Sequence, residues 1–175
     1  PGFAELDFSR MRFTLGGGMA VQRAVAEKWK KVTGVTLVEA YGLTETSPAA
    51  CINPMDLKEF NGAIGLPVPS TDCCIKDDAG NILPQGEIGE LCVKGPQVMQ
   101  GYWQRPDETA RALSDGRLST GDIAKMDDEG YIRICGRDKD IDLLARITTF
   151  IAGKSFCPFG EASVWGLQSN LAKYR

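Results

Sequence analysis

Two glycine turns place the strongest constraint on the fold. Residues 12–15 form a short apolar run that breaks into Gly16-Gly17-Gly18, and residues 35–40 form a second that breaks at Tyr41-Gly42. Between them Val21, Val25, Trp29 and Val32 recur at intervals of four, four and three residues, which puts them on one helical face, and Gly34 supplies a stop. Strand, turn, helix, strand is a βαβ unit. Its right-handed crossover pairs the two strands in parallel and brings both glycine turns to strand carboxyl ends, where open α/β sheets hold their ligands.

The second turn carries chemistry. Residues 38–48 read Val-Glu-Ala-Tyr-Gly-Leu-Thr-Glu-Thr-Ser-Pro. Tyr41 offers a flat ring for a base, Gly42 would let backbone approach a ligand, and Thr44 and Glu45 supply a hydroxyl and a hard anionic oxygen suited to a phosphate and its magnesium. Taken alone, the stretch reads equally as a polar turn after a buried strand. Beyond residue 54, short β-rich runs at 73–76, 90–94 and 131–135 alternate with turn clusters, which predicts a small antiparallel sheet or barrel packed on the α/β layer. Pro106 followed by Asp107 and Glu108 marks a helix start, and Asp115-Gly116 a hairpin turn. In Ser119-Thr120-Gly121-Asp122 the carboxylate could accept two hydrogen bonds from a ribose diol, or close an Asx turn. Gly136-Arg137-Asp138-Lys139-Asp140 sets two cations among acids and reads also as a solvated surface turn.

Bulk properties narrow the function classes. With 175 residues, 43% hydrophobic and 25% charged, the chain has the make-up of a globular protein, and a net charge of -3 gives no electrostatic reason to expect nucleic acid or an anionic membrane as partner. No eighteen-residue apolar run is present, so no membrane-spanning segment is expected. The start, Pro1-Gly2-Phe3, is neither a secretory signal nor an initiator methionine, and the expectation is a piece of something longer. Six cysteines show no pair at the two-residue spacing of zinc or redox motifs, which predicts buried free thiols in a reducing cytosol. The absence of histidine removes imidazole as general base.

In order, Gly16-Gly17-Gly18, Tyr41-Gly42-Leu43-Thr44-Glu45, Gly89-Glu90-Leu91, residues 101–106 (Gly-Tyr-Trp-Gln-Arg-Pro), Ser119-Thr120-Gly121-Asp122 and residues 136–140 resemble the adenylate-forming superfamily, and within it the bacterial long-chain fatty acid:CoA ligases. The resemblance covers about residues 1–140 and implies that residues 1–138 are the carboxyl-terminal part of a large AMP-binding domain ending at an interdomain hinge. It implies that Gly16, Gly17 and Gly18 wall the adenine and acyl pockets, and that Glu39, Ala40, Tyr41, Gly42 and Leu43 form the adenine platform with Tyr41 stacking. It makes Thr44 a phosphate contact, Glu45 a magnesium ligand, Asp122 the ribose-binding aspartate, Arg137 a ribose and phosphate contact, and Lys139 the hinge. The implied substrates and cofactors are a fatty acid, ATP or AMP, magnesium and CoA, in a cytoplasmic enzyme with room for peripheral contact at the inner membrane. A serine, threonine and glycine-rich phosphate loop ending in lysine, and the family's carboxyl-terminal catalytic lysine, are missing. The chain is therefore expected to be inactive alone, with residual AMP binding as the alternative.

Residues 139–175 depart from that pattern. Ile151-Ala152-Gly153-Lys154-Ser155-Phe156-Cys157-Pro158-Phe159-Gly160 and the following Glu161-Ala162-Ser163 are similar to the carboxyl-terminal iron-sulfur region of the NADH-binding flavoprotein subunit of respiratory complex I. That resemblance makes Cys157 the last of four cluster ligands. The upstream trio is missing, so no iron-sulfur cluster is expected. Leu143, Leu144, Ile147 and Ile151 predict an amphipathic helix over 142–151. The expectation is a chimera joined near residue 140, a mostly helical tail following the α/β part.

Overall fold

The computed structural model describes residues 2–137, so the expected tail, its helix at 142–151 and the division at residue 138 lie outside the described residues. β1 (Thr14–Gly16) and β2 (Leu37–Gly42) pair in parallel, Thr14 opposite Leu37 and Gly16 opposite Glu39, with α1 (Arg23–Thr33) between them. This is the expected βαβ unit, each strand starting two residues later than its apolar run. The helix departs further from expectation. It begins at Arg23, so Val21 precedes it; Val25 is exposed, and the buried positions are Ala26 and Thr33. Trp29 keeps its place on the expected face, half-buried, and its indole N–H, which needs an acceptor, donates to Thr14 Oγ1 at 3.0 Å. Gly34 ends the helix as expected, its N–H donating to the Lys30 carbonyl at 2.8 Å.

β3 (Ala49–Ile52) lies antiparallel beside β2, and β4 (Leu66–Pro67) antiparallel beside β3, so the first sheet is mixed. Nothing in Ala-Ala-Cys-Ile alternates, and β3 was not anticipated. The second sheet contains β5 (Asp72–Lys76), β6 (Ile88–Lys94), β7 (Leu113–Ser114), β8 (Arg117–Met126) and β9 (Ile132–Arg137). Its order is β5-β6-β8-β7, antiparallel throughout that path, with β9 also on β8. It is the expected antiparallel layer. The predicted helix start is α2 (Pro106–Ala112), and Asp115-Gly116 closes the β7–β8 hairpin with positive φ at both residues, 54° and 68°, as a two-residue turn of this twist requires.

The sheets meet through one apolar cluster. Ala50 and Cys51 of β3 pack with Cys73 and Ile75 of β5, Leu91 and Val93 of β6, Ala124 of β8 and Ile132 of β9, and Tyr41 lies against them. Burying these side chains stabilises by roughly 1.5–3 kcal/mol for each of the larger aliphatics. The same packing brings the end of β2 against the middle of β8. No helix among the described residues is long and apolar enough to cross a membrane.

Candidate functional site

Two motifs far apart in sequence converge on one hydrogen bond. The Tyr41 hydroxyl at the end of β2 donates to Asp122 Oδ2 on β8 at 2.6 Å, across 81 positions of chain. Asp122 lies within β8. Opposite Cys92 stands Ser119, and opposite Glu90 stands Ile123, so Leu91 faces three residues of β8 and the ladder is broken by a bulge. Such a bulge turns a side chain out of its regular direction. Gly121 makes it possible, with φ 71°, where a side chain would be strained. Three further bonds hold the bulge: Thr120 Oγ1 donates to the Leu91 carbonyl at 2.8 Å, Asp122 N–H donates to Thr120 Oγ1 at 3.1 Å, and Gly121 N–H donates to Glu90 Oε1 at 2.9 Å. Asp122 is 4% exposed. Burial, and then the bond to the Asp122 carboxylate, hold the Tyr41 hydroxyl well above the ordinary tyrosine range, so it remains a donor.

The turn after β2 is built around Thr46, which the sequence reading passed over. Its hydroxyl is fully buried, accepts from Leu43 N–H at 2.8 Å and donates to the Pro48 carbonyl at 2.6 Å. Gly42 has a structural requirement of its own. A Cβ there would stand 1.6 Å from the Pro48 carbonyl oxygen, so the missing side chain makes room for the chain's own backbone. Thr44 is exposed, and Glu45 is half-buried and hydrogen-bonded: the Tyr102 hydroxyl donates to its Oε1 at 2.7 Å, and Met99 N–H donates to its backbone carbonyl at 2.8 Å. Tyr102, in the stretch already singled out at 101–106, was not read as a partner of Glu45.

Glu39 serves the first glycine turn. Its Oε1 accepts from Val21 N–H at 2.9 Å, which ties the loop after Gly16, Gly17 and Gly18 to β2. A Cβ on Gly17 would lie 3.1 Å from the Ala40 carbonyl oxygen, so that loop runs close over the adenine platform predicted at residues 39–43. Burial pushes the Glu39 carboxyl above its ordinary range, partly offset by the Val21 bond. Asn53, 2% exposed, holds the other side of β2 by donating to the Glu39 and Ala63 carbonyls. Arg137 is the last residue of β9, and Lys139 and Cys157 lie outside the described residues. A separate concavity of about 480 Å³, lined by Arg23, Lys30, Glu59 and Phe60 among others, shares no residue with this site.

A metal must be judged on this donor set. Among the described residues no group of three His, Cys, Asp or Glu side chains could hold one. Thr44 and Glu45 supply one hydroxyl and one carboxylate, which fits magnesium, an ion commonly held by one or two carboxylates with phosphate oxygens and water completing its shell.

Residues 2–103 match the family described as AMP-binding enzyme. The chain belongs to this family. It is 57% identical over 148 residues to a long-chain-fatty-acid–CoA ligase of Yersinia pestis, an alignment covering 85% of this chain and 26% of that protein. Apo MatB from Rhodopseudomonas palustris superposes with a TM-score of 0.69 at 37% identity, over 74% of this chain and 26% of MatB. The anthranilate CoA ligase AuaEII, solved with anthranoyl-AMP, gives a TM-score of 0.72 at 29% identity over 79% of this chain and 27% of its own. The chain thus spans about a quarter of the length of these relatives. The α/β architecture described above is that of this AMP-binding family.

Proposed function

We propose that residues 2–137 hold the nucleotide in an ATP-dependent ligase that joins a long-chain fatty acid to CoA through an acyl-adenylate. The Tyr41–Asp122 bond carries the reading, because it places a flat ring and a buried carboxylate side by side at a strand end. Tyr41 lays its ring against adenine with the glycine loop opposite, and its hydroxyl fixes the Asp122 carboxylate. The ribose diol bonds to the Asp122 carboxylate, which accepts at two oxygens. Thr44 meets a phosphate oxygen. Glu45 is the magnesium ligand, and magnesium, when bound, offsets phosphate charge. Arg137 contacts the ribose and phosphate, and Lys139 is the hinge for a further domain, in a cytoplasmic protein.

The described side chains assigned to the nucleotide here, Tyr41, Thr44, Glu45 and Asp122, are neutral or anionic, so they cannot by themselves stabilise charge building on a triphosphate. Ligation therefore belongs to the longer assembly of the relatives, and the 175-residue chain alone binds nucleotide without turnover. Incubation with ATP, magnesium, CoA and a long-chain acid should yield no acyl-CoA, while a non-hydrolysable acyl-AMP analogue should bind. Turnover by the chain alone, or no analogue binding, would contradict this. For residues 139–175 the reading remains a tail of separate origin, based on the sequence around Cys157. We read the join near residue 140 as an artefact of gene prediction, assembly or recombination; a DNA read across the codons of residues 130–150 from native genomic template tests it, and an uninterrupted coding sequence with accumulating product would overturn it.

A further inference from the structure

Where the two sheets touch, their contact includes a pair of thiols. Cys51 Sγ on β3 and Cys73 Sγ on β5 lie 3.9 Å apart. Both belong to the inter-sheet cluster, and both are free cysteines. Each cysteine is held in register within its own sheet, Cys51 opposite Tyr41 and Cys73 opposite Val93, and the apolar cluster between the sheets sets the distance between the two. A disulfide needs sulfurs about 2.05 Å apart, a closure of the present gap that asks for side-chain rotation in both residues. β5 is an end strand of its sheet, and Cys73 is the second residue from its exposed start at Asp72.

We propose that Cys51 and Cys73 are an oxidation site, converted by a hydroperoxide into a disulfide that staples the two sheets together behind Tyr41. The Cys73 sulfur attacks one peroxide oxygen, the O–O bond breaks, and a sulfenic acid forms as water or the corresponding alcohol leaves. The Cys51 sulfur then attacks Cys73 Sγ; the S–S bond forms, the S–O bond breaks, and the hydroxyl departs as water with the Cys51 proton. Two thiols are oxidised and one peroxide is reduced. The asymmetry of the pair sets this order. The bond from Cys51 holds the Cys73 thiol below its ordinary range, against the opposing effects of burial and of Asp72, whereas the bond to Cys73 and then burial hold Cys51 above it. The thiolate is the nucleophile, so Cys73 reacts first and Cys51 resolves. The inference goes beyond nucleotide binding and does not depend on it.

Tryptic mapping tests it, because Cys51 lies in the peptide of residues 32–58 and Cys73 in that of residues 59–76, apart from Cys92, Cys135 and Cys157. The full chain is treated with hydrogen peroxide, its remaining thiols are alkylated, and the digest is read by mass spectrometry. The expected result is a linked 32–58/59–76 pair lighter by two hydrogens than the separate peptides together, abolished by dithiothreitol, retained in Cys74→Ser and lost in Cys73→Ser. Thermal unfolding of the oxidised wild type should shift upward and return on reduction. The wild type itself decides the matter even if a variant misfolds. Absence of the linked pair in folded wild-type chain, its appearance only after urea unfolding, or its persistence in Cys73→Ser through Cys74, would each overturn the proposal.

Discussion

The two roles proposed for Tyr41, ring contact with adenine and donor to Asp122, can be separated by removing a single oxygen. In Tyr41→Phe the ring stays and the donor to Asp122 goes, leaving a nearly buried carboxylate oxygen without that bond. Losing a buried partner of this kind costs roughly 1–3 kcal/mol, so the urea midpoint should fall by a corresponding amount with the slope unchanged. Gly42→Ala is the contrasting case. Its Cβ would enter the Pro48 carbonyl oxygen at 1.6 Å, and backbone must move. A loss at or above the top of the roughly 1–3 kcal/mol typical of overpacking is expected in the same titration. The need for glycine at position 42 was legible in the sequence, but its reason was not, because the carbonyl it accommodates comes from a tight turn six residues on. Thr46 was invisible for the same reason: a threonine among hydroxyls gives no sign that its own is the buried one.

At the level of elements, the loop after β1 depends on β2 through Glu39. Its folded-state pKa is raised by burial, so the protonated form favours folding, and that contribution is present below the ordinary carboxyl range and lost as pH rises through the raised value. Glu39→Gln keeps an acceptor for Val21 N–H and removes the charge. The stability difference, wild type minus variant, should therefore fall as pH rises from about 4 to about 7 in paired urea titrations; a difference that rises instead would contradict the assignment. The βαβ unit, the antiparallel layer, the hairpin at Asp115-Gly116 and the start of α2 were all readable, since each rests on local pattern or turn chemistry. The face of α1 was not. Periodicity placed Val25, Trp29 and Val32 on one row, but the most buried positions are Ala26 and Thr33 on the adjoining one, a choice the tertiary packing makes and periodicity cannot register. The bulge in β8 was equally hidden, because Ser-Thr-Gly-Asp fits an Asx turn as well as a broken ladder, and only the register against Cys92 and Glu90 distinguishes them.

For the molecule as a whole, the sheet-to-sheet packing matters more than any one motif. The first sheet carries Tyr41 and the glycine loop, the second carries Asp122, and the cluster between them sets the distance at which they meet. β1 is an end strand of its sheet among the described residues, and Phe13, Leu15 and Val25 near it are exposed. An apolar strand edge of this kind favours association, so light scattering from the 175-residue chain should rise with concentration and be lessened in Leu15→Lys. The central claim is that Tyr41 and Asp122 together form a nucleotide site, and calorimetric titration with AMP tests it most directly. The chain should bind AMP, and Asp122→Ala should weaken binding about tenfold or more, the loss expected when a charged hydrogen-bonding partner worth roughly 1.5–3 kcal/mol is removed. AMP binding that is absent from the wild-type chain, or that survives unchanged in Asp122→Ala, would contradict it.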